Sequence, residues 1–345
     1  MLLEEYSTIA LYSAMFVYAI AFVFYVIDLA NRSSENVYSG HRLSHKVMDA
    51  SVGLQPQLPN AVGQASTSRG FTATLTRPHA QVAVSQIPNN SERRSKILRV
   101  GFSLTVLGFL LHLASTLMRG IGAERVPWSN MYEFALTATL AIVLMFLIVQ
   151  FFVDLRFLGA LIVGIAVVFL GVAKVNYYVP IVPLQPALDT YWLVIHVIVA
   201  ILAVGFFTLS FGLSVLQLFQ NRRERLAKEK QPDSVLSFGA FPDSVRLENY
   251  SYRMAIIGFA LWTFTLIAGA IWAEAAWSRY WGWDVKEVWT FVIWGLSAGF
   301  IHARATRGWR GTRSAWLSIV GYTAVVFNFT IVNVFFSGLH SYSGL

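Results

Sequence analysis

The sequence predicts an all-α, polytopic membrane protein with about eight transmembrane helices. Three observations carry this. Hydrophobic residues make up 56% of the 345 positions and charged residues only 13%, roughly half the charged share of a soluble domain. The apolar residues gather into stretches close to the ~20 residues that a spanning helix needs. Polar, often basic, segments separate those stretches. Inside a bilayer every backbone amide must find an internal partner, so helices follow by default.

Taken in order, the apolar stretches are 7–29, 97–118, 132–153, 157–176, 192–219, 253–273, 288–303 and 315–337. Glu4 and Glu5 precede the first, where a cleaved leader would carry basic residues, so this stretch is expected to stay as a helix. The seventh is the shortest, and its Trp and His content suggests a helix buried among others. Residues 30–96 break the pattern. They are rich in Ser, Gln, Asn, Pro and Gly and read as a mostly disordered cytoplasmic linker. The expected division is a first helix at 1–29, the linker at 30–96 and a membrane domain at 97–345.

Lys and Arg set the orientation. The segments joining helices 1–2, 3–4, 5–6 and 7–8, with the helix ends that border them, hold nine, one, seven and four, which is 21 of 26. Those segments are expected inside, and both termini extracytoplasmic. The basic run 221–233 and the net charge of +8 then read as topology signals and lipid-facing charge rather than a nucleic-acid surface.

The segment "WSRYWGWDVKE", 277–287, stands apart. It is too polar for lipid and too aromatic for an ordinary loop. An interfacial aromatic belt accounts for scattered residues such as Trp128 or Trp316. It accounts poorly for Trp277, Trp281 and Trp283 packed beside Asp284, Lys286 and Glu287. The segment looks built to hold something flat.

Of seven histidines, His41, His45 and His79 fall in the linker and read as solvated. His196, near the start of helix 5, and His340, after helix 8, share the face of the tryptophan segment. His302 lies fourteen residues after Val288, about 21 Å along a helix in a layer about 30 Å thick. An ionisable group at that depth is a functional candidate, although nearby Arg304 also allows an interface position. His112 reads either as a helix–helix hydrogen bond or as a site. Cysteine is absent, which excludes disulfides, thiolate catalysis and thiolate ligation. Flat aromatics with paired imidazoles suit haem, whose iron takes axial imidazoles and whose propionates are anionic. Zinc would call for three clustered ligands. Arg119 and Arg125, just before "PWSNMYE", are either propionate partners or interface charges.

Five motifs then carry a family resemblance: "WSRYWGWDVKEVW" at 277–289, "TYWLVIHV" at 190–197, "VNVFFSGLHSY" at 332–342, "VPWSNMYE" at 126–133 and "HARATRGWRG" at 302–311. Over residues 97–345 the sequence resembles the CcsA/ResC cytochrome c biogenesis proteins, within a wider haem-handling family that includes CcmC and CcmF. Three positions depart from that family's pattern: Ser278 stands where Gly is common, Val285 where Pro is common, and Glu274 where Asn is usual. The resemblance implies a holocytochrome c synthase in a bacterial cytoplasmic membrane. Haem b would be picked up in the membrane with His302 as one ligand. It would then be presented outside between His196 and His340, against the WWD segment with Trp277, Trp281, Trp283 and Asp284. There the cysteines of an apocytochrome CXXCH segment would add across the vinyl groups. His196, His340 and Asp284 are the catalytic candidates on this view. A CcsB/ResB-type membrane partner would supply a further histidine, and a thioredoxin-like protein the reduced thiols. A haem exporter or chaperone shares every motif. A solute transporter with an aromatic gate would instead need polar groups at mid-membrane and broken helices.

Overall fold

The computed structural model describes residues 2–52, 90–181, 188–229, 241–306, 309–336 and 338–339, with backbone only for 32–52, 90–95 and 227–228. Among the described residues there are eight long helices and no strand. They are α1 (Leu2–Val52), α2 (Asn90–Gly122), α3 (Met131–Val149), α4 (Gly159–Asn176), α5 (Tyr191–Lys228), α6 (Ser244–Trp277), α7 (Val285–Ala305) and α8 (Thr312–Phe327). Beyond α8 the chain widens into a π turn at Asn328–Val332, then a last short turn at Asn333–Phe335.

Among the described residues, seven helices are long and apolar enough to cross a membrane by length and composition. The eighth, α7, has 21 residues and so spans about 31 Å. It falls short on hydropathy even over its most apolar part, which carries His302 and Arg304. The protein is a multi-pass membrane protein.

Successive helices run in alternating directions. One end of the bundle collects the starts of α1, α3, α5 and α7. Glu4 of α1 accepts from Tyr178, just past α4, at 2.8 Å, and Lys286 of α7 donates to Asn333 beyond α8. This is the tryptophan end. At the opposite, basic end, Tyr25 of α1 meets Thr105 of α2 at 3.1 Å. There too Arg304 of α7 pairs with Glu248 of α6 at 2.7 Å.

The core runs through the bundle as adjoining clusters. Tyr18, Tyr25, Leu136 and Leu170 join α1, α3 and α4. Phe146, Leu209 and Leu247 join α3, α5 and α6. Phe207, Trp262, Ile293 and Tyr322 join α5 through α8. Most of α3's apolar window is buried, 61%, against 28% for α1, so α3 lies near the centre and α1 at the rim. The rim helix still docks tightly. The Tyr25 ring lies against Gly159 at the start of α4, in the space a Cβ would take.

Helix ends differ from the apolar stretches for identifiable reasons. The third stretch runs to 153, but α3 stops at Val149. The Gln150 side chain accepts from Leu155 N–H at 2.9 Å and turns the chain. Phe151 and Phe152 are exposed, and their apolarity carries the sequence signal past the true end. α6 starts at Ser244 rather than 253, because Asp243 caps it by accepting from Arg246 N–H at 2.8 Å. A hydropathy window is blind to such a cap. α1 continues to Val52 and α2 begins at Asn90, so both ends of the expected linker are helical backbone, and its middle lies outside the described residues.

Candidate functional site

At the tryptophan end a cleft with about 1120 Å³ of empty volume opens between α3, α5, α6, α7 and the π turn. Its walls are largely aromatic: Trp128, Phe134, Trp262, Trp272, Tyr280, Trp281 and Phe329. His196 enters from α5, and Lys286, Glu287, Asn328 and Asn333 line the same cleft.

The WWD segment reaches the cleft through two sharp changes of direction. α6 ends at Trp277, and Ser278 adopts a left-handed conformation, φ 55°, with its N–H on the Glu274 carbonyl at 2.8 Å. Glycine is the usual residue at such a helix end, which explains why the resembled family favours it at this position. Trp283 is also left-handed, φ 58°. Asp284 then caps α7. Its side chain accepts from Val285 N–H at 2.9 Å, while Glu287 accepts from Gly282 N–H at 2.7 Å and Asp284 N–H at 3.1 Å. This reciprocal capping box fixes the loop to the helix. Val285 is the first helical residue, the position that suits proline.

The three tryptophans of the segment have different surroundings. Trp277 packs on Trp272, ring centroids 4.8 Å apart, together with Leu188 and Leu193. Trp281 lines the cleft. Trp283 is exposed and meets Trp281 edge to face at 5.9 Å. Asp284 lies beside the cleft in a smaller recess with Asn333, Phe336 and Gly338. Gly338 comes up against the Asp284 carboxylate. The chain leading to His340 therefore arrives at the WWD segment, while His340 itself is outside the described residues.

Among the described residues, His196 is the histidine that the fold delivers to the cleft. Its Nδ1 lies 2.9 Å from the Thr265 carbonyl of α6. A carbonyl oxygen only accepts, so Nδ1 carries the proton and Nε2 the lone pair. The ring stacks on Trp272, 5.9 Å between centroids and 18° between planes. Gly269 makes the approach feasible, since a Cβ there would fall 2.7 Å from the imidazole.

The other candidates are elsewhere. His302 lies in the last turn of α7 with its side chain exposed, remote from the cleft lining. His112 is fully buried and donates from Nε2 to the Leu136 carbonyl at 3.0 Å, which is the helix–helix hydrogen bond of its two readings. Arg119 and Arg125 both point at Glu133, a fully buried carboxylate, at 3.1 and 2.7 Å. Arg119 also donates to the Val179 carbonyl at 2.6 Å and lies over the Tyr132 ring. Ser129 adds its N–H and hydroxyl to Glu133, each at 3.0 Å. Neither arginine lines the cleft. They brace the 126–133 turn, from which Trp128 and Asn130 do line it.

Sequence reasoning missed several cleft residues. Trp128 reads as a belt residue and lines the cleft instead; its place in "VPWSNMYE" was the available signal. Trp316, exposed on α8, has the surroundings a belt residue would have. Trp272 and Gly269 had no signal beyond an apolar helix. Asn328 and Asn333 depend on the π turn, which has no sequence rule behind it.

Fold and cleft together define a multi-pass α-helical membrane protein organised around an aromatic, histidine-bearing cleft at one end of its bundle. Residues 128–340 match the family model described as cytochrome C assembly protein. The chain belongs to the cytochrome c assembly protein family and is of its CcsA type. It is 32% identical over 252 residues to the cytochrome c biogenesis protein CcsA of Trieres chinensis, covering 66% of this chain and 81% of that protein. It is also 32% identical over 272 residues to CcsA of Prochlorococcus marinus, covering 72% and 84%. Among solved structures it resembles the cytochrome c haem lyase CcmF with a TM-score of 0.51 and 18% identity. That likeness covers 68% of this chain and 41% of CcmF, and it speaks to the fold.

Proposed function

We propose that the chain is the membrane subunit of a cytochrome c synthase, which presents haem b on the outer face of a bacterial cytoplasmic membrane for thioether attachment to the CXXCH segment of apocytochrome c. The observation that carries this reading is His196. A cleft lined by aromatic rings receives an imidazole whose proton is held on Nδ1 by the Thr265 carbonyl. That leaves Nε2 as the ligating nitrogen, the arrangement typical of metal-bound histidine. The cleft fits the cargo in two further ways. Its walls are aromatic, and it is lined by Lys286 as well as by asparagine side chains. Haem combines apolar faces with anionic propionates.

In this account His196 and His340 are the axial ligands, and the Trp277–Trp283 segment supports one edge of the cargo. Asp284 shapes the loop through its cap. Each apocytochrome cysteine adds its S–H across a vinyl C=C, sulfur to one carbon and hydrogen to the other, with no net oxidation. The protein contributes orientation, which supplies a large share of a barrier when two reactants become one. The absence of cysteine agrees with this, since a thiol here would compete for the vinyl groups. Arg119 and Arg125 act through Glu133 on the cleft wall rather than on propionates. Residues 97–345 form the haem-handling domain, and 30–96 link it to the first helix.

His302 belongs to an earlier step, receipt of haem within the membrane. It stands on a side of α7 that also offers Gly295 and Gly299, around which nothing described lies within 4 Å. A CcsB/ResB-type partner bringing its own histidine would pack there, and activity is expected of that complex. A thioredoxin-like protein keeps the apocytochrome cysteines reduced. The test is coexpression with the partner and a reporter apocytochrome. Covalent haem on the reporter supports a synthase. Haem bound to the complex with none attached to the reporter would point instead to an exporter or chaperone.

A further inference from the structure

We propose that the corner of the cleft formed by Lys286 and Asn328 seats a carboxylate of the ligand. Naming that carboxylate as a haem propionate rests on the function proposed above. An ammonium has three donors. Lys286 gives one to the Asn328 carbonyl at 3.2 Å and one to Asn333 Oδ1, and lies over the Phe329 ring at 4.8 Å. Asn328 is fully buried, yet neither atom of its side-chain amide has a hydrogen-bond partner. Buried amides in that condition are rare and call for a partner. From the α3 side, Asn130 adds another. Its Oδ1 accepts from Glu133 N–H at 2.9 Å, which fixes the amide's orientation, and its Nδ2 is buried and unpartnered. All three residues line the one cleft.

The corner thus collects buried amide N–H donors without a partner, beside one buried carboxylate oxygen in the same condition, Glu287 Oε1. Two acids face Lys286 from its own helix end, Asp284 and Glu287. One oxygen of each is engaged by backbone N–H groups at the start of α7, whose partial positive charge offsets theirs, while Glu287 Oε1 is buried without a partner. A small planar acceptor with a negative charge suits such donors, and a carboxylate is that group. The π turn assists. Asn328 opens it, so the widened helix brings both the carbonyl that Lys286 binds and the unpaired amide to the cleft.

The experiment compares haem with haem dimethyl ester, which keeps the ring and iron but lacks both carboxylates. Each is titrated by absorption into the full-length chain, purified in detergent from haem-deficient cells. The wild type is expected to favour the free acid by ~30-fold or more, the scale for a buried charge partner. Lys286→Met should lose that preference while binding the ester as before, and Lys286→Arg should keep part of it. Asn328→Leu guards against misfolding of the Lys286 variants. Removing an unpaired buried amide should hold or raise the melting temperature of the ligand-free protein, while acid binding weakens. A wild type indifferent to esterification overturns the proposal, and so does a Lys286→Met variant weakened equally for both forms. A wild type that binds neither form defeats the haem reading itself, a different and recognisable failure.

Discussion

His196 of α5 gives its Nδ1 proton to the backbone carbonyl of Thr265 on α6, across 2.9 Å. The bond ties a polar group to the neighbouring helix and sets the tautomer in one step. Because the acceptor is backbone, side-chain substitution at 265 leaves it in place. The ring is instead sensitive to Gly269, which it contacts directly.

Gly269→Val should therefore displace the imidazole without removing it. A Cβ at 269 would lie 2.7 Å from the ring, so the ring must shift. Misplacement by ~1 Å costs up to ~100-fold at a reacting centre. Haem recovered per mole of folded protein is expected to fall by ~10-fold or more. Haem content equal to wild type would show that the position of His196 is immaterial.

Glu133 holds two guanidinium groups in a site closed to solvent. Removing one member of a buried ion pair costs about 3–5 kcal/mol. Glu133→Gln should be the most damaging change at the tryptophan end, lowering thermal stability in detergent by about that amount. Arg119→Gln should follow it closely. If Arg119→Gln and Arg125→Gln instead leave stability unchanged and lower only haem retention, the arginines contact the ligand after all.

Ser278 pays a conformational cost in its left-handed turn, φ 55°. Ser278→Gly should leave stability unchanged or raise it by up to ~1 kcal/mol. Ser278→Val, branched at Cβ, should lower it by ~1–3 kcal/mol. Thermal unfolding of the two variants decides, and equal values would mean the turn is not left-handed.

Much of the fold was legible because lipid imposes a simple rule: long apolar stretches become helices. Eight were expected and eight long helices are found among the described residues. What failed were the ends. Phe151 and Phe152 prolonged an apolar signal past α3, while Asp243 and Ser244 began α6 with polar residues that hydropathy ignores. At the site, the sequence isolated the WWD segment and His196 because their composition is abnormal for a membrane loop and helix. It did not separate Trp281, in the cleft, from Trp277, in the core, since spacing alone does not say how a loop turns. Nor did it show that Arg119 and Arg125 face Glu133, because that pairing depends on how the loop after α2 turns onto α3. Trp272, Asn328 and Asn333 are ordinary residues made notable by packing and by a π turn.

Orientation is open to direct test. The distribution of 21 of 26 basic residues predicts that a reporter fused after Leu345 reads extracytoplasmic and one inserted within 221–233 reads cytoplasmic. A cytoplasmic signal after Leu345 would put the WWD segment on the wrong face for attachment.

The most direct measurement is the visible absorption spectrum of the purified complex with its partner, for the wild type and for His196→Gly, with and without added imidazole. The account predicts low-spin, bis-imidazole bands for the wild type. It predicts their loss at the cleft in His196→Gly, together with covalent attachment to apocytochrome, and partial return of both when imidazole replaces the missing ligand. A His196→Gly complex with full haem, unchanged bands and full attachment would contradict it.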